Sequence, residues 1–204
     1  MTIPTDENGV LSADHTLKTN FEVKSNLTIP KDITLTVSKG FTLTVPKIYT
    51  LTIEKGGKIT GDVSFKGGTL FDLNLDGDLE VDYTVPINYE LPNDLNIPKG
   101  ITLTVPDGIT LTVPDDTTLT IRKGGKLNDD ALKLKGGTLV DQNLVGDLDK
   151  DYTVPAIYTL QQNLTILKGI TLTIPKDKEL TVPKDITLTI GKGGILKDQA
   201  NKLN

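Results

Sequence analysis

The chain has 204 residues, of which 36% are hydrophobic and 4% aromatic, with a net charge of −5 and no Cys. That length allows one domain with a real core, but the composition points to a thin core of Ile, Leu and Val and excludes disulfide and thiol chemistry. Nucleic acid is a poor fit: the balance is acidic, and the basic residues, a single Arg among 22, are dispersed. No apolar run reaches the ~18 residues of a membrane span, so no membrane insertion is expected.

The first residues, MTIPTDENGV, show neither the basic nor the apolar region of a signal peptide. Residues 1–8 read as a short strand-like segment. Three long copies follow, at 9–76, 77–145 and 146–204, opened by Gly9, Gly77 and Gly146. GVLSADHTLKTNFEV, GDLEVDYTVPINYEL and GDLDKDYTVPAIYTL align without a gap, so His15 stands where Tyr83 and Tyr152 stand. KGGTLFDLNL and KGGTLVDQNL close the first and second copies.

A shorter period of eight runs inside each copy: Leu27, Leu35, Leu43, Leu51, Ile59, then Leu95 to Leu127, then Leu164 to Leu196. In ITLTVP, Ile101, Leu103 and Val105 alternate with Thr102 and Thr104, the period of two of a strand with one buried face. Thr, Ile and Val suit a pleated surface. Pro106 and Pro114 lack an N–H and belong at corners, outside a ladder. Gly108 and Asp116 close the turns, where a left-handed backbone is needed.

Short strands at a fixed interval predict a solenoid. Inward Ile, Leu and Val need more room than a two-sided coil offers, so the expected fold is all-β: a three-sided parallel β-solenoid with about 23 residues per coil and about nine coils, roughly 40 Å long at ~4.8 Å per coil. Three whole coils per copy would set each copy in register on the last. An antiparallel meander is the runner-up, but it leaves the apolar face uncovered. The pattern resembles the β-solenoid repeats of bacterial and archaeal surface and fibre proteins, where TLTIP-type phrases recur. That resemblance implies an extracellular or cell-surface setting.

The residues offer little chemistry. His15 is the sole histidine, with no triad or metal set around it, and reads as a half-buried wall position. The acidic runs 72–82 and 146–151 fail the EF-hand frame. GGTLFDLNL partly resembles the calcium nonapeptide of RTX solenoids through Gly67, Gly68 and Asp72, but Leu70 and Asn74 depart from it and the copy is solitary. Pectate-lyase-like helices need long loops to build a cleft, and none is seen, so no enzyme activity and no cofactor are expected. The T-x-T pairs resemble the arrays of ice-binding proteins. Eight residues per strand, however, puts consecutive pairs on consecutive faces.

What remains is the rod and its ends, which are open sheet edges. No capping helix is visible. The third copy stops before a closing strand, and residues 1–8 precede the first copy at the matching place. The expected function is therefore a structural subunit that stacks head to tail on itself into a filament, through Thr2, Ile3 and Pro4 at one end and Leu196 and Leu203 at the other. Ile3 would be buried only on assembly. The alternatives are a rod-like adhesin or spacer module of a surface protein and, less favoured, an ice-binding protein. Any carbohydrate or ice ligand is left open.

Overall fold

A computed structural model describes residues 3–129 and 132–199. It consists of short strands of two to five residues, with single 3-10 turns at Leu73–Leu75 and Gln142–Leu144. Within each of the three copies, strands pair in parallel with the third strand further along the chain. Three strands thus complete a turn, and the chain winds as a three-sided β-solenoid of about nine turns. In the antiparallel meander, neighbours in sequence would have paired.

The period of two decides what faces in. In strand Thr102–Val105, Leu103 and Val105 are buried while Thr102 and Thr104 are half-buried on the outer wall. Leu103, Leu111 and Leu119 are all fully buried, each contributing about 1.5–3 kcal/mol. Like stacks on like: Leu27 on Leu51, Leu95 on Leu119, and Ile97 on Ile121. Gly108 and Asp116 do adopt positive φ, +78° and +60°. The prolines are less uniform than expected. Pro106 lies outside the ladder, but Pro46 and Pro114 end their strands in register with Lys66 and Lys135. A terminal proline lacks only its N–H, so it can still close a strand.

Coil length differs from the expected 23. In the second copy Gly77 pairs with Leu95, Tyr83 with Leu103, Tyr89 with Leu111 and Leu95 with Leu119, so the spacing grows from 18 to 20, 22 and 24 residues. It then contracts again to 20 between Leu119 and Leu139. The short corners are completed by side chains. Asp82, Asn88 and Asp94 accept from the backbone N–H of Thr102, Thr110 and Thr118 one coil on, at 2.8, 2.8 and 2.7 Å. Asp14, Asn20 and Asn26 do the same for Thr34, Thr42 and Thr50. Each bond supplies a partner that a buried or half-buried amide must find. In the third copy Asp151 and Asn163 keep this role for Thr171 and Thr187. The middle pair is replaced on both sides, by Ile157 and Glu179.

The copies are not in continuous register. Every ladder of the described residues stays inside one copy: strands between His15 and Asp72 pair among themselves, as do those between Gly77 and Asp141 and those between Gly146 and Asp198. The apolar core is likewise divided. One cluster runs from Ile3 to Leu70, and a second from Leu75 through the second joint to Leu196.

The N-terminal segment folds back on its own chain. Asp6 Oδ1 accepts from the N–H of Asn8 and Val10, both at 2.9 Å, which makes D-E-N-G a turn. Thr5 then bridges Leu11 antiparallel, while Val10 bridges Thr28 in parallel. Ile3 is only 9% exposed and packs in the first core cluster. The expectation that Ile3 is buried only on assembly is corrected: the hook buries it within the single chain.

Candidate functional site

With no ladder across the joints, something else must hold the copies together. The closing strand Thr69–Asp72 lies on Thr50–Ile53, with Leu70 over Leu51 and Asp72 over Ile53. Alternation therefore turns the Asp72 carboxylate inward, where it is 1% exposed. Its Oδ1 accepts from the Asn74 N–H at 3.1 Å and from Asn74 Nδ2 at 3.0 Å. Its Oδ2 accepts from the Tyr83 hydroxyl at 2.6 Å. The Asp72 N–H donates to the Tyr89 hydroxyl at 3.2 Å. Asn74 in turn reaches the corner one coil below, accepting from Gly56 N–H at 2.8 Å and donating to the Gly57 carbonyl at 3.1 Å. Gly57 itself lies against the carbonyls of Ile29 and Pro30, where a Cβ has no room. One Asp-x-Asn thus clamps three layers: the coil below, the closing strand, and two tyrosines of the next copy.

The second joint repeats the arrangement. Asp141, fully buried, accepts from Tyr152 at 2.7 Å and from Asn143 N–H at 2.9 Å, and donates its N–H to Tyr158 at 3.1 Å. Asn143 accepts from Gly124 N–H at 2.7 Å and donates to the Gly125 carbonyl at 3.2 Å.

Burial raises the Asp72 carboxyl above its ordinary value, and the hydrogen bonds from Tyr83 and Asn74 only partly offset it; Asp141 is raised in the same way, against Tyr152 and Asn143. Burial, and then the facing carboxylates, raise the phenols of Tyr83 and Tyr152. The sign for stability follows. A carboxyl whose folded value exceeds its unfolded 3.8 takes its proton first in the folded state. Its contribution is complete below the unfolded value and is lost as pH rises through the folded one. Wild type minus the double variant Asp72→Asn, Asp141→Asn should therefore show a melting-temperature difference that grows in favour of wild type from about pH 7 to about pH 4. Thermal melts of both proteins check this, and a difference that shrinks on acidification contradicts it.

At the start of the first copy the clamp is absent. Phe21 stands at the position of Tyr89 and Tyr158, without a hydroxyl, and His15 at that of Tyr83 and Tyr152. His15 is half-buried, as expected of a wall position, and its Nε2 is buried with no hydrogen-bond partner.

The five residues expected at an assembly interface are placed as follows. Thr2 and Leu203 lie outside the described residues. Ile3 is buried in the hook, Pro4 is exposed with its carbonyl accepting from Ser12, and Leu196 is half-buried in register with Leu172. Ile3 and Pro4 belong to the first coil and Leu196 to the last, so a single chain does not bring them together.

The acidic runs dissolve into separate structural tasks. Asp72 and Asp141 are the clamps, Asp82 and Asp151 cap corners, and Asp78 accepts from Arg122 and Asn96. Among the described residues no three His, Asp or Glu converge on a metal position. A groove of about 520 Å³ lies at the second joint, between Lys126–Asn128 and Tyr152–Pro155. No described sheet presents a Thr pair on every rung. Thr34/Thr36, Thr42/Thr44 and Thr50/Thr52 sit on three successive faces, stacked over residues such as Lys58, Asp62 and Phe71. No protein-family model, no curated protein and no solved structure matches the chain.

Proposed function

We propose that the chain is a structural rod, a spacer of the kind found in surface or extracellular proteins, whose task is to hold what lies at its two ends apart. The observation that carries this reading is the repeated clamp. Asp72 and Asp141, each with its Asn and two Tyr, convert three separately laddered blocks into one body. Buried polar groups are costly unless fully partnered, and here both carboxylates are. That effort goes into the joints.

The other structural reading is a head-to-tail filament of copies of this chain. The open strands and exposed Ile190 and Ile195 of the last coil favour it. The first coil favours the spacer: the hook already uses Ile3, and His15 and Phe21 lack the hydroxyls with which Tyr83 and Tyr89 grip the copy below. The test is sedimentation with small-angle scattering over a wide concentration range. A spacer stays monomeric, with one concentration-independent maximum dimension. Fibres growing with concentration would replace this reading with the filament.

A further inference from the structure

At the second joint two sheet edges face each other in the middle of the rod. Strand Lys126–Asp129 is the last of its ladder in the second copy, and Tyr152–Thr153 is the first of its ladder in the third. Both line the groove of about 520 Å³, and no described ladder joins them. Strand number gives the reason. In the second copy one face carries four strands, from Gly77–Asp78 to Thr138–Asp141, and the other two faces carry three. Those faces are short by one strand, about 4.8 Å of rise. The main chain along both edges is aimed at the groove. Lys126 N–H donates towards the first copy, to Ile101, and Val154 N–H donates the other way, to Thr173. Successive peptide groups of a strand point to opposite sides within the sheet. The N–H and C=O of Leu127 and of Thr153 therefore point into the groove from its two sides. Leu127 is only 6% exposed, and a buried amide needs a partner.

We propose that this groove takes up one extended peptide segment of a partner protein, inserted as a parallel strand between Lys126–Asp129 and Tyr152–Thr153. An extended backbone is the ligand that offers donors and acceptors to both edges at once, with main-chain bonds giving affinity. The segment accepts from the N–H of Leu127 on one side and of Thr153 on the other, and donates to the Leu127 carbonyl. The shape of the site also suits an extended occupant. A second groove of about 500 Å³ continues from the first, sharing Lys126, Asp151 and Tyr152 and running on past Lys99, Lys123 and Leu148. The walls set the side chains. Leu127 and Tyr152 are in register with the inward Leu103 and Leu172, so one residue of the segment falls between them, facing in. That residue must be small, because Tyr152 already turns inward there to reach Asp141 at 2.7 Å. Its two neighbours lie level with Lys126 and with Asn128 on the outer wall, where Thr is suited. The occupant is an extended segment of the form T-A-T, and its site stands whether or not the rod is a spacer.

The experiment titrates the isotope-labelled full chain with the peptide KTATVK, with KTLTVK, and with KTATVK N-methylated at Ala and the second Thr, which removes one donor to each edge. Amide shifts centred on residues 126–129 and 151–155 are expected for the first. Binding at least about tenfold weaker is expected for the N-methylated peptide, the loss of its main-chain hydrogen bonds. KTLTVK should also bind more weakly, its Leu meeting Tyr152. Thr153→Pro removes the N–H that faces the groove and should weaken KTATVK in the same way, with a thermal melt beside it to show that the fold is kept; the N-methylated peptide makes the same test on the parent chain. Three results would overturn the proposal: no shifts at millimolar peptide, equal binding of the N-methylated peptide, or a Leu127 amide in the free chain already as protected from exchange as that of Leu103, which would mean that its N–H has a partner without the peptide.

Discussion

Asp72→Ala is expected to cost about 3–5 kcal/mol and to split thermal unfolding into two transitions. The loss strands the Tyr83 hydroxyl and the Asn74 N–H in a buried place, and leaves Asn74 Nδ2 only its backbone acceptors at Gly57 and Glu54. Each orphaned group costs about 1–3 kcal/mol. Relief of the buried charge, whose cost the raised carboxyl reflects, offsets part of that sum. The split follows from the core. At the first joint no ladder crosses and the apolar clusters are separate, so the clamp carries most of the coupling between residues 3–72 and the rest. At the second joint Leu139, Leu144, Leu148 and Val154 belong to one continuous core. Asp141→Ala should therefore lower the melting temperature by a similar free energy but keep a single transition. Calorimetry of the two variants side by side decides it. Two single transitions, or two split ones, would mean that core continuity does not set the coupling.

The walls of this fold are legible in the sequence because they are local. The alternation in ITLTVP and the interval of eight place Leu103, Leu111 and Leu119 inside and Gly108 and Asp116 at left-handed corners, and the structure has them there. The joints were harder to read because their bonds span coils. Asp72 reaches Tyr83 and Tyr89, 11 and 17 residues on, and Asp141 reaches Tyr152 and Tyr158 at the same offsets. That repeated offset was the available signal, and a search for calcium ligands looks past it. The corner caps are alike: Asp82, Asn88 and Asp94 recur every six residues, yet their partners lie 20 to 24 residues on and are found only once the coil lengths are known. The hook was hidden for a different reason. Its Ile3 looks like any strand residue until the D-E-N-G turn is seen to send it back onto Phe21, Val23 and Leu27.

Leu119→Ala should cost about 2–5 kcal/mol, the range for truncating a fully buried leucine. Leu188→Ala should cost only about 1 kcal/mol. By sequence the two are equivalent, both the centre of a T-L-T-I strand, and Leu51 is the third of the set. What separates them is the layer above. Leu139 covers Leu119 and Leu70 covers Leu51, while no described residue covers Leu188. Thr104→Ser, on the outer wall, sets the baseline at well under about 1 kcal/mol. Chemical denaturation at a common slope gives all three values. Equal costs at Leu119 and Leu188 would show that the last coil is as well covered as the inner ones.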